Sequence, residues 1–364
     1  MKNIAVFFGG VSVEHDVSVI SGVLTLNAID KEKYNAVPIY IDYDGVWYTG
    51  EILKDISVYK RLDIKKLDQV TLSLGKNILY RQKGKRLKEI CVLACGINCL
   101  HGERGEDGSL SGLLNMCKIP LASPPILASA VCMDKSISKS FFKGLSIKHL
   151  PCVTLNELDG VEKVTGLEFP LIVKPATGGS SIGVKRADNI EQLKKAIDFA
   201  FRYANKVVVE ELLTGFTEIN CAVYKNHLGE IIVSDCERPI GEKEVLTFLD
   251  KYSLGKREFP AVIEKKVENK IKETAKKCYK SLGLEGIIRL DFMVKNGVVY
   301  LNEINTVPGS LAYYLFCSTF KEFSKILTSL IIRAEELFAR KETLVKKYSS
   351  SVLELKGVKT AKRL

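Results

Sequence analysis

No two of the ten cysteines form a Cys-x-x-Cys pair, which removes the usual spacing of a zinc or thioredoxin-like site. Cys91, Cys95 and Cys99 lie in or beside an apolar strand candidate, where a thiol serves as a small hydrophobe. The pattern points to a reducing cytoplasm. A long uncharged apolar run is also missing, so no membrane span is expected. The amino-terminal MKNIAVFFGG has neither a full apolar h-region nor a small-residue cleavage site, and it reads as a first β-strand entering a glycine loop. A Walker A loop, GxxxxGK[ST], does not occur. The net charge is +11, but from Arg340 to Leu364 eight Lys or Arg stand against two Glu. Without interleaved aromatics or a binding motif, that tail reads as solvated chain and not as a nucleic-acid arm. The remaining charge suits a phosphate-bearing small molecule.

With 364 residues and 46% hydrophobic composition, the chain should form two or three domains. Its most informative stretch is Gly286–Ser310, GIIRLDFMVKNGVVYLNEINTVPGS. Two β-branched runs, Ile287–Val294 and Val298–Ile304, flank Asn296-Gly297 and read as a β-hairpin. Side chains alternate along a strand, so Arg289 shares a face with Asp291, and Glu303 with Asn305. Asp291 and Glu303 meet on one side if the loop has an odd count, such as three residues with Gly297 in the left-handed conformation. A two-residue turn would separate them. The odd loop would place Met293, Val299 and Leu301 on that face and gather two carboxylates, a carboxamide and a guanidinium at its far end. Such hard oxygen donors suit Mg²⁺; a solvent-facing strand end is the simpler alternative.

Upstream, Asn3–Phe8, Gly9-Gly10 and Val17–Ile29 follow the strand, glycine turn and helix order of a doubly wound unit, whose ligands collect at the carboxyl end of the sheet. Glu14 either receives an ammonium there or, with Ser12, caps the helix. Gly50–Lys88 is Lys-rich and weakly patterned. Ile90–Leu100 returns to strand character and leads into His101–Gly108, where three glycines allow close backbone approach. Pro120–Pro125 marks a crossing into a second domain. Asp134 is placed to cap a helix carrying Lys135 and Lys139. Phe169–Pro175 buries Lys174 near a strand end just before the Gly/Ser-rich loop Ala176–Gly183, a combination suited to covering phosphates. Ile190–Ala204 reads as helix, and Val207–Val209 as a strand leading to Glu210-Glu211-Leu212-Leu213, with Glu218 beyond.

The ordered motifs GGVSVEHDVSVISG, LHGERGEDGSLSG, CMDKSISK, VKPATGGSSIGV, DKY at Asp250–Tyr252, RLDF and NEINTVPG resemble the D-alanine–D-alanine ligase family of the ATP-grasp superfamily, over about Ile4 to Leu330. The resemblance implies an α/β (α+β) ATP-grasp fold with an N-terminal doubly wound, Rossmann-like pre-ATP-grasp domain. The implied units are 1–124 for substrate, 125–209 and 210–338 for the two ATP-grasp subdomains, and 339–364 as the basic tail. It further implies ATP, two Mg²⁺ ions with Mn²⁺ as a substitute, D-alanine as substrate, a homodimer, and a cytoplasmic role in peptidoglycan precursor synthesis. By position, Glu14 matches the anchor of the first substrate's ammonium and His101 a neighbour of that substrate. Lys135 and Lys174 match ATP phosphate contacts, Ser180 and Ser181 the loop serines, and Glu210, Glu211, Leu213 and Glu218 the nucleotide slot. Lys251 and Tyr252 match a mobile lid. Arg289 and the backbone N–H of Gly309 match the groups that stabilise the oxyanion, while Asp291, Glu303 and Asn305 match the metal ligands.

Two departures accompany the match. The turn between Gly215 and Glu218 is one residue longer than the family's Gly-x-Glu, and Pro308-Gly309-Ser310-Leu311 leads to Tyr314 where the family carries a serine for the second substrate's carboxylate. Ser310 and Leu311 become the candidates for that second pocket. Tyr252 matches relatives with amine acceptors and argues against D-lactate. A D-alanine–D-serine ligase, or another carboxylate–amine ligase, is the alternative.

Overall fold

In this computed structural model, residues 1–240 and 256–350 are described. Lys2–Gly9 (β1) and Tyr34–Ile41 (β2) pair in parallel through the crossover helix His15–Ala28 (α1). Both strands are almost wholly buried, which is why they read as continuous apolar runs. The sheet then continues beyond the doubly wound parallel core that the amino-terminal pattern suggested. Trp47–Thr49 (β3), Asp68–Ser73 (β4), Lys76–Lys83 (β5) and Arg86–Asn98 (β6) extend it antiparallel, and β6 returns to pair in parallel with β1, closing a barrel. The parallel core is doubly wound; the closure comes from the Lys-rich stretch. Its strands are half-exposed and charged, so their periodicity was weak.

After Ser109–Met116 (α2), the helices Ile126–Met133 (α3) and Lys135–Gly144 (α4) meet at Asp134, which accepts hydrogen bonds from the backbone N–H of Ser136 at 2.9 Å and Ile137 at 3.1 Å. This N-cap fixes Lys135 at the start of α4. Cys152–Asn156 (β7), Leu171–Pro175 (β8), Lys185–Ala187 (β9) and Lys206–Glu211 (β10) form an antiparallel sheet in the order β7-β10-β8-β9. Ile190–Ala200 (α5) covers it, packing Leu193, Ala196 and Ile197 against Val173, Val207 and Val209.

A second antiparallel sheet joins Thr217–Lys225 (β11), Ile231–Val233 (β12), Ile288–Lys295 (β15) and Val298–Asn305 (β16) in the order β12-β11-β15-β16. Arg238–Ile240 (β13) pairs with Lys256–Glu258 (β14) beside it, and Lys265–Ser281 (α6) buries Ile271, Ala275 and Cys278 against the sheet. The last helix, Phe320–Glu342 (α7), begins with a Thr319/Glu322 capping box. It packs Phe323, Leu327 and Ile331 into the core that holds Ile4, Val6 and Leu26. The carboxyl-terminal helix thus fastens the hairpin-bearing sheet to the barrel.

The hairpin itself corrects the expected loop. Lys295 pairs with Val298 across a two-residue turn in which Asn296 (φ 50°) and Gly297 (φ 73°) are both left-handed, as a type I′ turn requires. Parity is restored inside the ladder. Phe292 opposes Leu301, but Asp291 opposes Glu303, so Asn302 is the extra residue of a β-bulge. Arg289, Asp291, Glu303 and Asn305 therefore do share one face. Val299 and Leu301 do not: they pair with Val294 and Phe292 on the core side, and Tyr300 opposes Met293 instead.

Candidate active site

Two adjoining cavities lie between the sheets and the barrel. The first is a cleft lined by Lys135, Lys174, the loop Thr177–Ile182, Glu210 to Leu213, Glu218 and Met293. The second is a chamber reached by Glu14, His101, Glu106, Arg289, Asn305 and Gly309. Lys135, Gly178, Gly179, Ser180 and Glu303 line both.

The cleft is built on a buried ion triplet. Glu210, on β10, lies between Lys139 on α4 and Lys174 on β8, each ammonium 2.9 Å from a carboxylate oxygen. The Lys139 and Glu210 side chains are 2% and 1% exposed, while Lys174 keeps 12%. Burial pushes Lys139 below the ordinary lysine range, and the two ammonium groups hold Glu210 below the ordinary carboxylate range against its own burial. Glu210 thus fixes the Lys174 ammonium at the cleft wall. Lys139, read as a helix-face residue, is its concealed partner. Glu211 also lines the cleft and accepts from the Glu168 N–H at 3.2 Å, and Leu213 and Glu218 complete the far wall. Lys135 donates to the carbonyl of Gly178 at 2.6 Å, tying α4 to the Gly/Ser loop.

That loop crosses from cleft to chamber. Ser180 and Ser181 adopt left-handed φ of 52° and 58°, and the Ser180 hydroxyl donates to the Glu14 carboxylate. A side chain at Gly179 would stand 3.1 Å from both Glu14 oxygens, so glycine permits the close approach. Glu14 is 5% exposed and makes no side-chain capping bond, while the Ser12 hydroxyl accepts from the Glu14 N–H at 3.1 Å, so of the two side chains only that of Ser12 serves the helix start. His101 is buried 3.1 Å from the Ser21 hydroxyl; burial, reinforced by the nearby Arg289 charge, pushes its pKa down to about 4. The imidazole is therefore neutral at physiological pH.

Two residues at or behind the chamber wall, Glu106 and Ser21, escaped the sequence reading. Glu106, in the His101–Gly108 loop, accepts from the N–H groups of Gly102 at 2.9 Å and Val307 at 3.3 Å, joining the barrel loop to the segment after β16. Burial and then the Glu14 charge push its pKa up to about 8. Ser21 accepts from the Ser310 N–H at 2.8 Å and so connects His101 to the Pro308-Gly309 turn. The contacts of Ser21, and that of Glu106 with Val307, are distant in sequence, and Glu106 is one of several acids in a glycine-rich loop.

On the hairpin, Asp291 is 2% exposed and accepts from Arg289 Nε at 2.7 Å and Nη2 at 2.8 Å, and from the Asn305 amide at 2.9 Å. Among the described residues no three His, Cys, Asp or Glu gather into a metal cage. Two carboxylates and one carboxamide on a strand face still fit a magnesium ion that keeps water or phosphate oxygens as its other ligands. Gly309 lines the chamber. Ser310 and Leu311 line neither cavity; Ser310 turns its N–H to Ser21, and Leu311 is buried in the barrel core. Lys251 and Tyr252 lie outside the described residues.

A lysine-walled cleft, a Gly/Ser loop and an acidic hairpin face between two antiparallel sheets define an ATP-grasp enzyme. Residues 3–124 match the family model for the D-ala D-ala ligase N-terminus, and residues 149–333 the model for its C-terminus. A D-alanine--D-alanine ligase of Thermosipho africanus is 35% identical, with 98% of this chain and 99% of the relative covered. The crystal structure of D-Alanine-D-Alanine Ligase from Helicobacter pylori superposes with a TM-score of 0.76 at 33% identity, covering 91% of this chain and 98% of that one. The VanG D-Ala:D-Ser Ligase from Enterococcus faecalis gives 0.74 at 29% identity, covering 93% and 99%. The chain belongs to the D-alanine–D-alanine ligase family.

Proposed function

We propose that the protein joins two D-alanines to D-alanyl-D-alanine, with ATP converted to ADP and phosphate, for peptidoglycan precursor synthesis. The observation that carries this reading is the shared wall of the two cavities: Lys135, Ser180 and Glu303 face both the cleft and the chamber, so a nucleotide's terminal phosphate and an amino-acid carboxylate would meet there. Glu14 receives the first D-alanine's ammonium, with neutral His101 beside it. The carboxylate attacks the γ-phosphorus in line, and the bond to the bridging oxygen breaks to leave ADP and an acyl phosphate. Lys135 and Lys174 hold the phosphates during this transfer. Magnesium bound by Asp291, Glu303 and Asn305 would offset charge on the transferring phosphoryl group. The second D-alanine's amine then attacks the acyl carbon, with Arg289 and the Gly309 N–H at the oxyanion, and phosphate departs. Loss of one such donor typically lowers the rate by about 100- to 1,000-fold.

This reading assigns 1–124 to the first substrate, 125–209 and 210–338 to the nucleotide, and 339–364 to a tail. It gives the protein small-molecule partners, ATP and D-alanine, with no nucleic-acid or membrane partner, and assembly as a homodimer in the cytoplasm. Free thiols at all ten cysteines support a reducing compartment, and no described helix is long and apolar enough to cross a membrane. Mass spectrometry after incubation with ATP, Mg²⁺ and D-alanine, alone or with D-serine or D-lactate, is the test. D-Alanyl-D-alanine should dominate, with one ADP per dipeptide. A dominant mixed product, or ATP hydrolysis without ligation, would overturn the assignment.

A further inference from the structure

A second charged cluster lies against Arg289. Glu237, just before β13, exchanges backbone hydrogen bonds with Asn220 of β11, and Asn220 is the ladder partner of Asp291. The Glu237 side chain is 6% exposed and accepts from Arg257 Nη1 of β14 at 3.2 Å. The Arg257 guanidinium lies over the Tyr314 ring, 4.4 Å from its centroid. Burial pushes the Tyr314 phenol up, and the nearby Arg289 guanidinium opposes that rise. Tyr314 thereby stands beside two guanidinium groups, with Arg257 on its ring face.

The two guanidiniums differ in what they have left to offer. Arg289 commits two N–H directions to Asp291. Arg257 uses one donor on Glu237, and 42% of its side chain remains open to solvent. A guanidinium has five donors in a flat fork that matches a carboxylate, and stacking on an aromatic ring holds that fork in one plane. Glu237 and Tyr314 fix its position without filling it. Glu237 and Asp291 each hold one of the two guanidiniums, and it is Arg257 that keeps solvent-facing donors an incoming anion can reach.

We propose that Arg257, oriented by Glu237 and Tyr314, binds the α-carboxylate of the second amino acid and so sets acceptor specificity. The inference rests on the ligase reading, in which that amino acid must reach a carbonyl held at Arg289. Tyr314 acts as a positioning residue: its ring supports Arg257 beside Arg289.

The test uses D-alanine as donor and compares D-alanine with D-alaninamide, which lacks the carboxylate, as acceptor. The intact enzyme should prefer D-alanine by about tenfold or more, the scale of a lost charge-assisted hydrogen bond. Arg257→Gln should raise the second-site KM by a similar factor, leave the first-site and ATP KM values in place, and abolish the preference over the amide. Arg257→Lys, which keeps the charge but not the flat fork, should retain part of the preference and carries the test if the glutamine variant does not fold. Tyr314→Phe should keep the stack and most of the preference, whereas Tyr314→Ala should lose it. If intact enzyme makes dipeptide and the Arg257 variants discriminate against the amide as before, this inference fails alone. If intact enzyme makes no dipeptide from D-alanine, the underlying ligase reading fails.

Discussion

Asp291 and Glu303 stand directly opposite one another across the hairpin because Asn302 is bulged out of the ladder between them and the type I′ turn. A regular ladder from that turn would bring Asn302 opposite Asp291 and send Glu303 toward the core. The bulge therefore places both acids on the cavity side. Glu303→Gln should raise the Mg²⁺ concentration needed for half-maximal ADP release by more than about tenfold, since even outer-shell losses cost metal sites about 10- to 100-fold. Unchanged magnesium dependence would remove Glu303 from the ligand set. Chelation by EDTA should abolish ADP release, and Mn²⁺ should restore it.

The Lys139–Glu210–Lys174 triplet makes a stability prediction. Glu210→Met leaves Lys139 as a buried charge without its carboxylate, and removing one member of such a pair costs about 3–5 kcal/mol. Lys139→Met leaves Glu210 paired with Lys174 and should cost less. Urea unfolding of the two variants decides the order; equal or reversed losses would show that the triplet does not hold the strand as described.

Glu106 should make the ligand-free protein less stable as pH rises. Its folded pKa of about 8 lies above the ordinary value of 4.5, so the folded state binds more protons than the unfolded state between those limits. Stability from this group is present below about 4.5 and is lost as pH climbs through 8. Glu106→Gln cannot ionise and should flatten that dependence. Thermal melts from pH 5 to 9 read the difference, and parallel curves for both proteins would contradict it.

Ser21 should matter to the first substrate although it is no charged group. It receives the Ser310 N–H and contacts His101, so Ser21→Ala loosens both the Pro308-Gly309 turn and the imidazole. The first-site KM should rise by several-fold, with a stability loss of about 1 kcal/mol, typical of a lost hydrogen bond. A change confined to the ATP KM would place Ser21 outside this function.

Local chemistry determined much of the site. Asp134 at a helix start, Lys174 at a strand end, the Gly/Ser loop and the Asn-Gly hairpin could each be read because their signals lie within a few residues. The linear order of the motifs carried the family as well. Tertiary structure decided what depends on parity, closure and burial. A single bulged residue, not an odd loop, brought Asp291 and Glu303 together; half-exposed strands of weak pattern closed the barrel; and packing turned Leu311 into the core. Burial also separated residues that look alike in sequence, making Lys139 a hidden counter-ion, Glu106 a strongly perturbed acid and Arg257 a solvent-reaching guanidinium, since desolvation and long-range pairing have no local signature.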